Sequence, residues 1–155
     1  MWSLSAVGRG GIVWLVVGTV LTLTRRMKLS SLVQLALSIL LAFAVTDHFL
    51  KPLVNRERPF ALTHDVAVIG GRPDDASFPS GHAANAFAAM TVLLRAAPAG
   101  RLVWWALAVT IAYSRVYLGV HYPFDVLGGA LVGWLSAVAV RTVIQRVERL
   151  RSSDR

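Results

Sequence analysis

The sequence predicts an all-α fold, a polytopic transmembrane helical bundle of about five spans. Three observations predict it. The 155 residues are 55% hydrophobic and only 15% charged, against about 25% charged residues in an ordinary soluble domain. The apolar residues gather in runs too long for strands, and a lipid core admits only helices and closed barrels. The formal net charge of +8 sits mostly at the ends of those runs, which is the pattern of membrane topology. The length suits one domain, residues 1–155. Nucleic acid is not an expected partner, because no RNA- or DNA-binding motif is present and the basic residues do not interleave with aromatics. With no cysteine in the chain, disulfides, thiol chemistry and cysteine-ligated metals are excluded.

The first run covers residues 10–24, with a possible extension back to residue 4. It is short for a ~30 Å core, which needs about 20 residues. Arg9 precedes it, but Thr22-Leu23-Thr24 leads into Arg25-Arg26 with no small-residue cleavage site. It therefore reads as a retained span rather than a signal peptide. The second run covers residues 29–50. A substantial loop follows at residues 52–79, holding Pro52, Pro59, Pro73, Pro79, Gly70 and Gly71. These break regular structure and leave room for short helical turns. The third run, residues 80–97, is rich in alanine; the fourth covers residues 102–119 and the fifth residues 126–143. Gly129 and Gly133 form a G-x-x-x-G spacing in the fifth. Small residues let membrane helices approach closely, and packing within the chain is the expected use rather than homodimerisation. The sequence assigns no oligomeric state. Residues 141–155 read as a basic tail that frays.

Charge asymmetry orients the bundle. Arg25, Arg26 and Lys28, then Arg95 and Arg101, then Arg141, Arg146, Arg149, Arg151 and Arg155 fall on one face, which is expected to be cytoplasmic. Arg9, Lys51, Arg56, Arg58, Arg72 and Arg115 fall on the other. The same threading brings three unusual polar segments together on that outer face. They are Lys51 to Pro59, Pro79-Ser80-Gly81-His82, and Ser114-Arg115 with His121 and Asp125.

Each segment carries its own chemistry. If residues 51–58 are helical, Lys51 and Arg58 lie about two turns apart on one face, with Pro59 as the stop. Two cations at a membrane boundary suit an anionic headgroup, although snorkelling explains such a pair equally well. Asp47 is placed to pair with Lys51, and Arg56 and Glu57 read as solvated. Pro79-Ser80-Gly81-His82 is a proline-led entry into a helix. Its free N–H groups and dipole make an anion site, Ser80 can cap or donate, Gly81 allows close backbone approach, and His82 can donate a proton. Beyond Ser114-Arg115 the chain turns through Gly119 and Pro123, which puts His121 in a turn and Asp125 at the start of the last span. A carboxylate there can fix the imidazole tautomer and leave the other ring nitrogen free to attack. Arg115 can offer a bidentate fork to phosphate. Ser114 can bond phosphate or its own helix, with phosphate the expectation. His48 matches no motif and reads as structural; His64 lies in the loop without a motif position.

Taken together, the segments resemble the signature of the type 2 phosphatidic acid phosphatase superfamily: K-x6-RP, PSGH and SR-x5-H-x3-D. Every signature position is filled between Lys51 and Asp125. The resemblance implies a metal-independent, cofactor-free lipid phosphatase of the cell (inner) membrane, with its site on the extracytoplasmic face. In that reading His121 is the nucleophile that forms a phosphohistidine and Asp125 orients it. His82 is the general acid, and Lys51, Arg58, Ser80, Gly81, Arg115 and Ser114 bind the phosphate. The stretches around Arg58-Pro59-Phe60 and Asp75 to Ser80 are similar to those of compact bacterial undecaprenyl-diphosphate phosphatases, so a lipid-linked diphosphate is the expected substrate. Glycerolipid phosphates are the alternative, and a lipid-binding or transport protein with a relict site is the alternative of another class. Vanadate-dependent haloperoxidases share the anion-binding signature, but this chain is too small and too apolar for their soluble architecture. Many membrane members have six spans where five are counted here.

Overall fold

A computed structural model describes residues 11–62, 68 and 72–153. Among these residues every regular element is helical. The long helices are α1 (Gly11–Leu23), α2 (Leu29–Phe43), α5 (Gly81–Ala96), α6 (Arg101–Tyr117) and α7 (Pro123–Ser153). Between α2 and α5 lie a π-helical segment (Ala44–Leu50) and two short helices, α3 (Lys51–Val54) and α4 (Pro59–Leu62). A 3₁₀ turn (Pro98–Gly100) joins α5 to α6.

Helix α5 is the hub, packed against α1, α2, α6 and α7. Its small side chains make this possible. Ala83, Ala84, Ala86, Ala88 and Ala89 are fully buried, and α7 meets this face with Gly129 and Gly133. A Cβ on Gly129 would collide with the Ser80 carbonyl oxygen, and one on Gly133 with the Ala84 carbonyl oxygen. The two helices thus pack backbone to backbone, and the G-x-x-x-G is spent inside the chain. Large apolar side chains point the other way: Val16, Val20, Leu40, Leu102, Val109 and Leu131 are exposed. A small-residue interior beneath a large apolar exterior is stable where the surrounding solvent is lipid. Two stretches, Leu29–Leu62 and Pro123–Ser153, are long and apolar enough to cross a membrane, and Gly11–Leu23 is a shorter apolar helix.

Three expectations need correction. The second run is not one α-helix. It passes into the π-helical segment, where Lys51 N–H reaches back to the Thr46 carbonyl. Pro52 has no N–H to continue the α ladder. Residues 51–58 do not form a two-turn helix either: α3 ends at Asn55, which adopts a left-handed conformation (φ 44°) that asparagine tolerates well. Pro59 starts α4 instead of stopping a helix, because its fixed φ suits a first turn while disfavouring helix at the residue before it. Finally, the basic tail does not fray at residue 141; α7 continues to Ser153.

Candidate active site

One end of the bundle gathers the polar segments. Segment 72–80 lies against the α3–α4 link and the start of α7, held by Ser77 N–H to the Arg56 carbonyl (2.8 Å) and Ser80 N–H to the Asp125 carbonyl (2.9 Å). The α6–α7 turn closes on itself through His121 N–H to the Arg115 carbonyl (3.3 Å), after Gly119 ends α6 with φ 69°. Ser80 is the N-cap of α5 and accepts from Ala83 N–H. Gly81 follows it, and a Cβ there would lie 3.9 Å from Lys51 Nζ. The helix start and the Lys51 ammonium therefore face the same spot. His82 is partly exposed on the same first turn.

Lys51 and Arg58 do meet, although not through helical periodicity. Both are buried, with side chains 10% and 5% exposed. Lys51 pairs with Asp47, as the spacing anticipates. It also pairs with Asp75 Oδ2 at 2.5 Å, while Arg58 Nη2 donates to Asp75 Oδ1 at 2.7 Å. Arg58 Nε donates to the Asp75 carbonyl (2.8 Å) and Nη1 to the Val120 carbonyl (2.8 Å). Burial opposes the charged form of Asp75, but Lys51 and Arg58 outweigh it and hold the carboxyl below the usual carboxylate range.

Next to this pair stands the buried His121, its Nε2 3.4 Å from Arg58 Nη1. Its Nδ1 lies 3.6 Å from Asp125 Oδ2, within ion-pair range but longer than a hydrogen bond. Burial pushes the imidazole below its ordinary 6.5 and the Arg58 charge adds to that, while Asp125 pulls it upward. Burial and the Arg58 charge thus favour the neutral ring, and Nε2 faces the Arg58 guanidinium. Asp125 is itself fully buried and held from three sides: Ser77 Oγ donates to Oδ2 (2.5 Å), Tyr122 N–H to Oδ2 (2.9 Å) and Arg56 Nη1 to Oδ1 (2.9 Å). Arg56 also lies over the Tyr122 ring, 4.0 Å from its centroid.

The structure therefore brings Lys51, Arg58, Gly81, His121 and Asp125 into one cluster, with Ser80 hydrogen-bonded to Asp125 through the backbone. Arg115 is partly buried on the last turn of α6, where its Nε donates to Ser114 Oγ (3.1 Å). Ser114 donates its own proton to the Ile111 carbonyl (2.7 Å). That hydroxyl is engaged with its helix and with Arg115. Arg56 is a correction: it is only partly exposed and is a direct partner of Asp125. Asp75 and Ser77 lie in a stretch the sequence marks by its similarity, but they were given no role of their own. One signal was available for Asp75, since buried cations need counter-charges and only 8 acidic residues exist in the chain. His48 is exposed on the outer surface, edge-on to Phe43. His64 lies outside the described residues.

Comparisons with known proteins agree with the motifs. The family model described as the PAP2 superfamily matches residues 31–149. An undecaprenyl-diphosphatase of Sulfolobus acidocaldarius is 34% identical over 143 residues, 91% of this chain and 68% of the relative. A lipid A 4'-phosphatase of Bacteroides thetaiotaomicron is 37% identical over 118 residues, 70% of this chain; the chain spans about half of that relative, 51%. The crystal structure of Aquifex aeolicus LpxE superposes with a TM-score of 0.69 at 28% identity, covering 88% of this chain and 86% of its own. A family model matched across most of the chain, on a helical bundle that brings Lys51, Arg58, Gly81, His121 and Asp125 together, leaves one assignment: the chain belongs to the PAP2 superfamily.

Proposed function

We propose that the chain is a membrane lipid phosphatase that hydrolyses a lipid-linked diphosphate through a phosphohistidine, with undecaprenyl diphosphate yielding undecaprenyl phosphate and phosphate. The observation that carries this reading is the buried His121 ring between Asp125 and Arg58, with Nδ1 3.6 Å from Asp125 Oδ2 and Nε2 3.4 Å from Arg58 Nη1. In the proposed reaction the terminal phosphoryl group rests on Lys51, Arg58 and Arg115 and on the Ser80–Gly81 end of α5. Nε2 attacks phosphorus, the bond to the bridging oxygen breaks, and His82 gives its proton to the departing lipid monophosphate. Water then attacks the phosphohistidine, His82 takes back a proton, and the P–N bond breaks. The cations stabilise charge that grows on the equatorial oxygens. Asp125 stabilises the imidazolium that forms.

Two features support a diphosphate. A lipid monophosphate leaves more easily than an alkoxide, and the Sulfolobus relative is named for this activity. A lipid phosphomonoester is the second reading, favoured by the Bacteroides relative. We further propose that all five long helices cross the membrane, with the site on the extracytoplasmic side of the cell membrane. The test is phosphate release by the purified protein in one detergent at matched surface concentration. Efficiency on undecaprenyl diphosphate is expected to exceed that on phosphatidic acid or phosphatidylglycerol phosphate by at least about tenfold, roughly 1.4 kcal/mol of transition-state binding. Chelator is expected to leave the rate unchanged. Equal efficiency on either glycerolipid would reject the diphosphate assignment, and a rate restored only by a divalent metal would reject the mechanism.

A further inference from the structure

Resting on the phosphatase reading, we infer that Asp75 is a built-in competitor for the phosphate site: its carboxylate and the substrate phosphoryl group exchange on Lys51 and Arg58. The two carboxylate oxygens span the two cations, Oδ2 on Lys51 Nζ at 2.5 Å and Oδ1 on Arg58 Nη2 at 2.7 Å. A phosphoryl group offers two oxygens in the same way. Arg58 is also the cation nearest the His121 ring, with Nη1 3.4 Å from Nε2. A phosphoryl group within reach of Nε2 lies beside Nη1 and next to Nη2, the guanidinium nitrogen that the Asp75 carboxylate holds. One set of N–H bonds cannot serve both anions.

The alternative is that Asp75 positions the cations and stays in place. The anchoring argues against it. Lys51 keeps Asp47 as a second partner. Arg58 keeps two backbone carbonyls, Asp75 through Nε (2.8 Å) and Val120 through Nη1 (2.8 Å). Neither cation depends on the Asp75 side chain for its location. Exposure differs as well: the Asp75 side chain is 46% exposed, while those of Arg58 and Lys51 are 5% and 10%. The carboxylate can rotate to water while the cations cannot follow it. A buried Arg58 left without a carboxylate, beside a Lys51 left with Asp47 alone, is costly. A returning carboxylate removes that cost and displaces bound phosphate. Asp75 thus weakens anion binding and speeds product release.

The sign of one substitution separates the two roles. Orthovanadate binding to the purified full-length protein is measured by calorimetry, and as inhibition of phosphate release, for wild type, Asp75→Asn and Asp75→Glu. Competition predicts that Asp75→Asn tightens vanadate and phosphate binding by at least about fivefold, through loss of a charge held within contact distance of the site. The KM is expected to fall with it, kcat not to rise, and Asp75→Glu to stay near wild type. Unchanged or weaker vanadate binding in Asp75→Asn overturns the inference, whether or not wild type turns over lipid. A wild type that binds vanadate but releases no phosphate from any lipid would instead defeat the phosphatase reading. If Asp75→Asn does not insert, Asp75→Ala is read by the same binding measurement. Failure of both to fold while Asp75→Glu folds would also overturn competition, since the carboxylate would then be building the site.

Discussion

At His121 two neighbours set the charge of a single ring. Burial and Arg58 favour the neutral imidazole, while Asp125 favours the protonated one. The balance lies below the ordinary 6.5. Attack requires the neutral ring, so activity is lost as pH falls through this lowered value, and the acid limb of kcat/KM is expected below 6.5. Asp125→Asn removes the upward pull and should move that limb to still lower pH. It should also cut kcat on the order of a hundredfold, because imidazolium stabilisation is lost. Substrate ionisation is common to both enzymes, so the displacement between their pH–rate profiles isolates the ring. A limb that rises in Asp125→Asn would contradict the proposed pairing. His121→Ala should lower kcat by at least about a thousandfold while the protein still folds. The motif residues were legible because their types and spacings carry chemistry that few other arrangements need. Asp75, Arg56 and Ser77 were not, because they lie on irregular chain without periodicity. What gives them roles is a contact across the sequence, such as Arg56 with Asp125 at 2.9 Å.

For the elements, hydrophobic runs located the long helices well: residues 80–97 became Gly81–Ala96 and residues 102–119 became Arg101–Tyr117. Reading failed between Lys51 and Arg58, where a helical repeat fitted the spacing but the backbone turns left-handed at Asn55. The two cations converge because separate contacts anchor each one, Arg58 on the Asp75 and Val120 carbonyls and Lys51 on Asp47, and spacing along a chain does not carry that information. The G-x-x-x-G of α7 was legible as a close-packing signal, and the structure identifies α5 as its partner. A side chain at Gly133 would strike the Ala84 carbonyl oxygen and come within 2.8 Å of Ala88 N. Backbone atoms cannot rotate aside, so the helices have to separate. Gly133→Val should therefore cost about 1–3 kcal/mol, lowering Tm by about 2–12 °C in a detergent melt. Leu131→Val, on the exposed face of the same helix, should leave Tm nearly unchanged. Equal shifts for both variants would show that α5–α7 contact is not the determinant.

For the whole molecule, chemistry and topology are one arrangement seen at two ends. Gly81 opens α5 beside Lys51, and the His121 turn joins α6 to α7, so the polar cluster lies at a single end of the bundle. The other end of α5, sixteen residues on, is about 24 Å away at ~1.5 Å per residue, nearly the thickness of a ~30 Å hydrocarbon core. That far end carries the 97–100 turn flanked by Arg95 and Arg101, with Arg25, Arg26 and Lys28 in the α1–α2 turn. Cations held on short loops stay in the cytoplasm because moving them across the membrane during insertion is unfavourable. The catalytic end also holds cations, but Lys51, Arg56 and Arg58 are paired there with Asp47, Asp75 and Asp125, so they weigh less in the topological balance. The expected orientation places the site outside. The chain has no cysteine, so single cysteines can be introduced without background. Asp74 and Ala99 are exposed at opposite ends of the bundle, and Asp74 is not one of the carboxylates that hold the cations. In intact cells a membrane-impermeant thiol reagent should label Asp74→Cys and leave Ala99→Cys unlabelled until the membrane is permeabilised. The reverse pattern would put the phosphatase site in the cytoplasm and remove any role in recycling lipid carriers released at the outer leaflet.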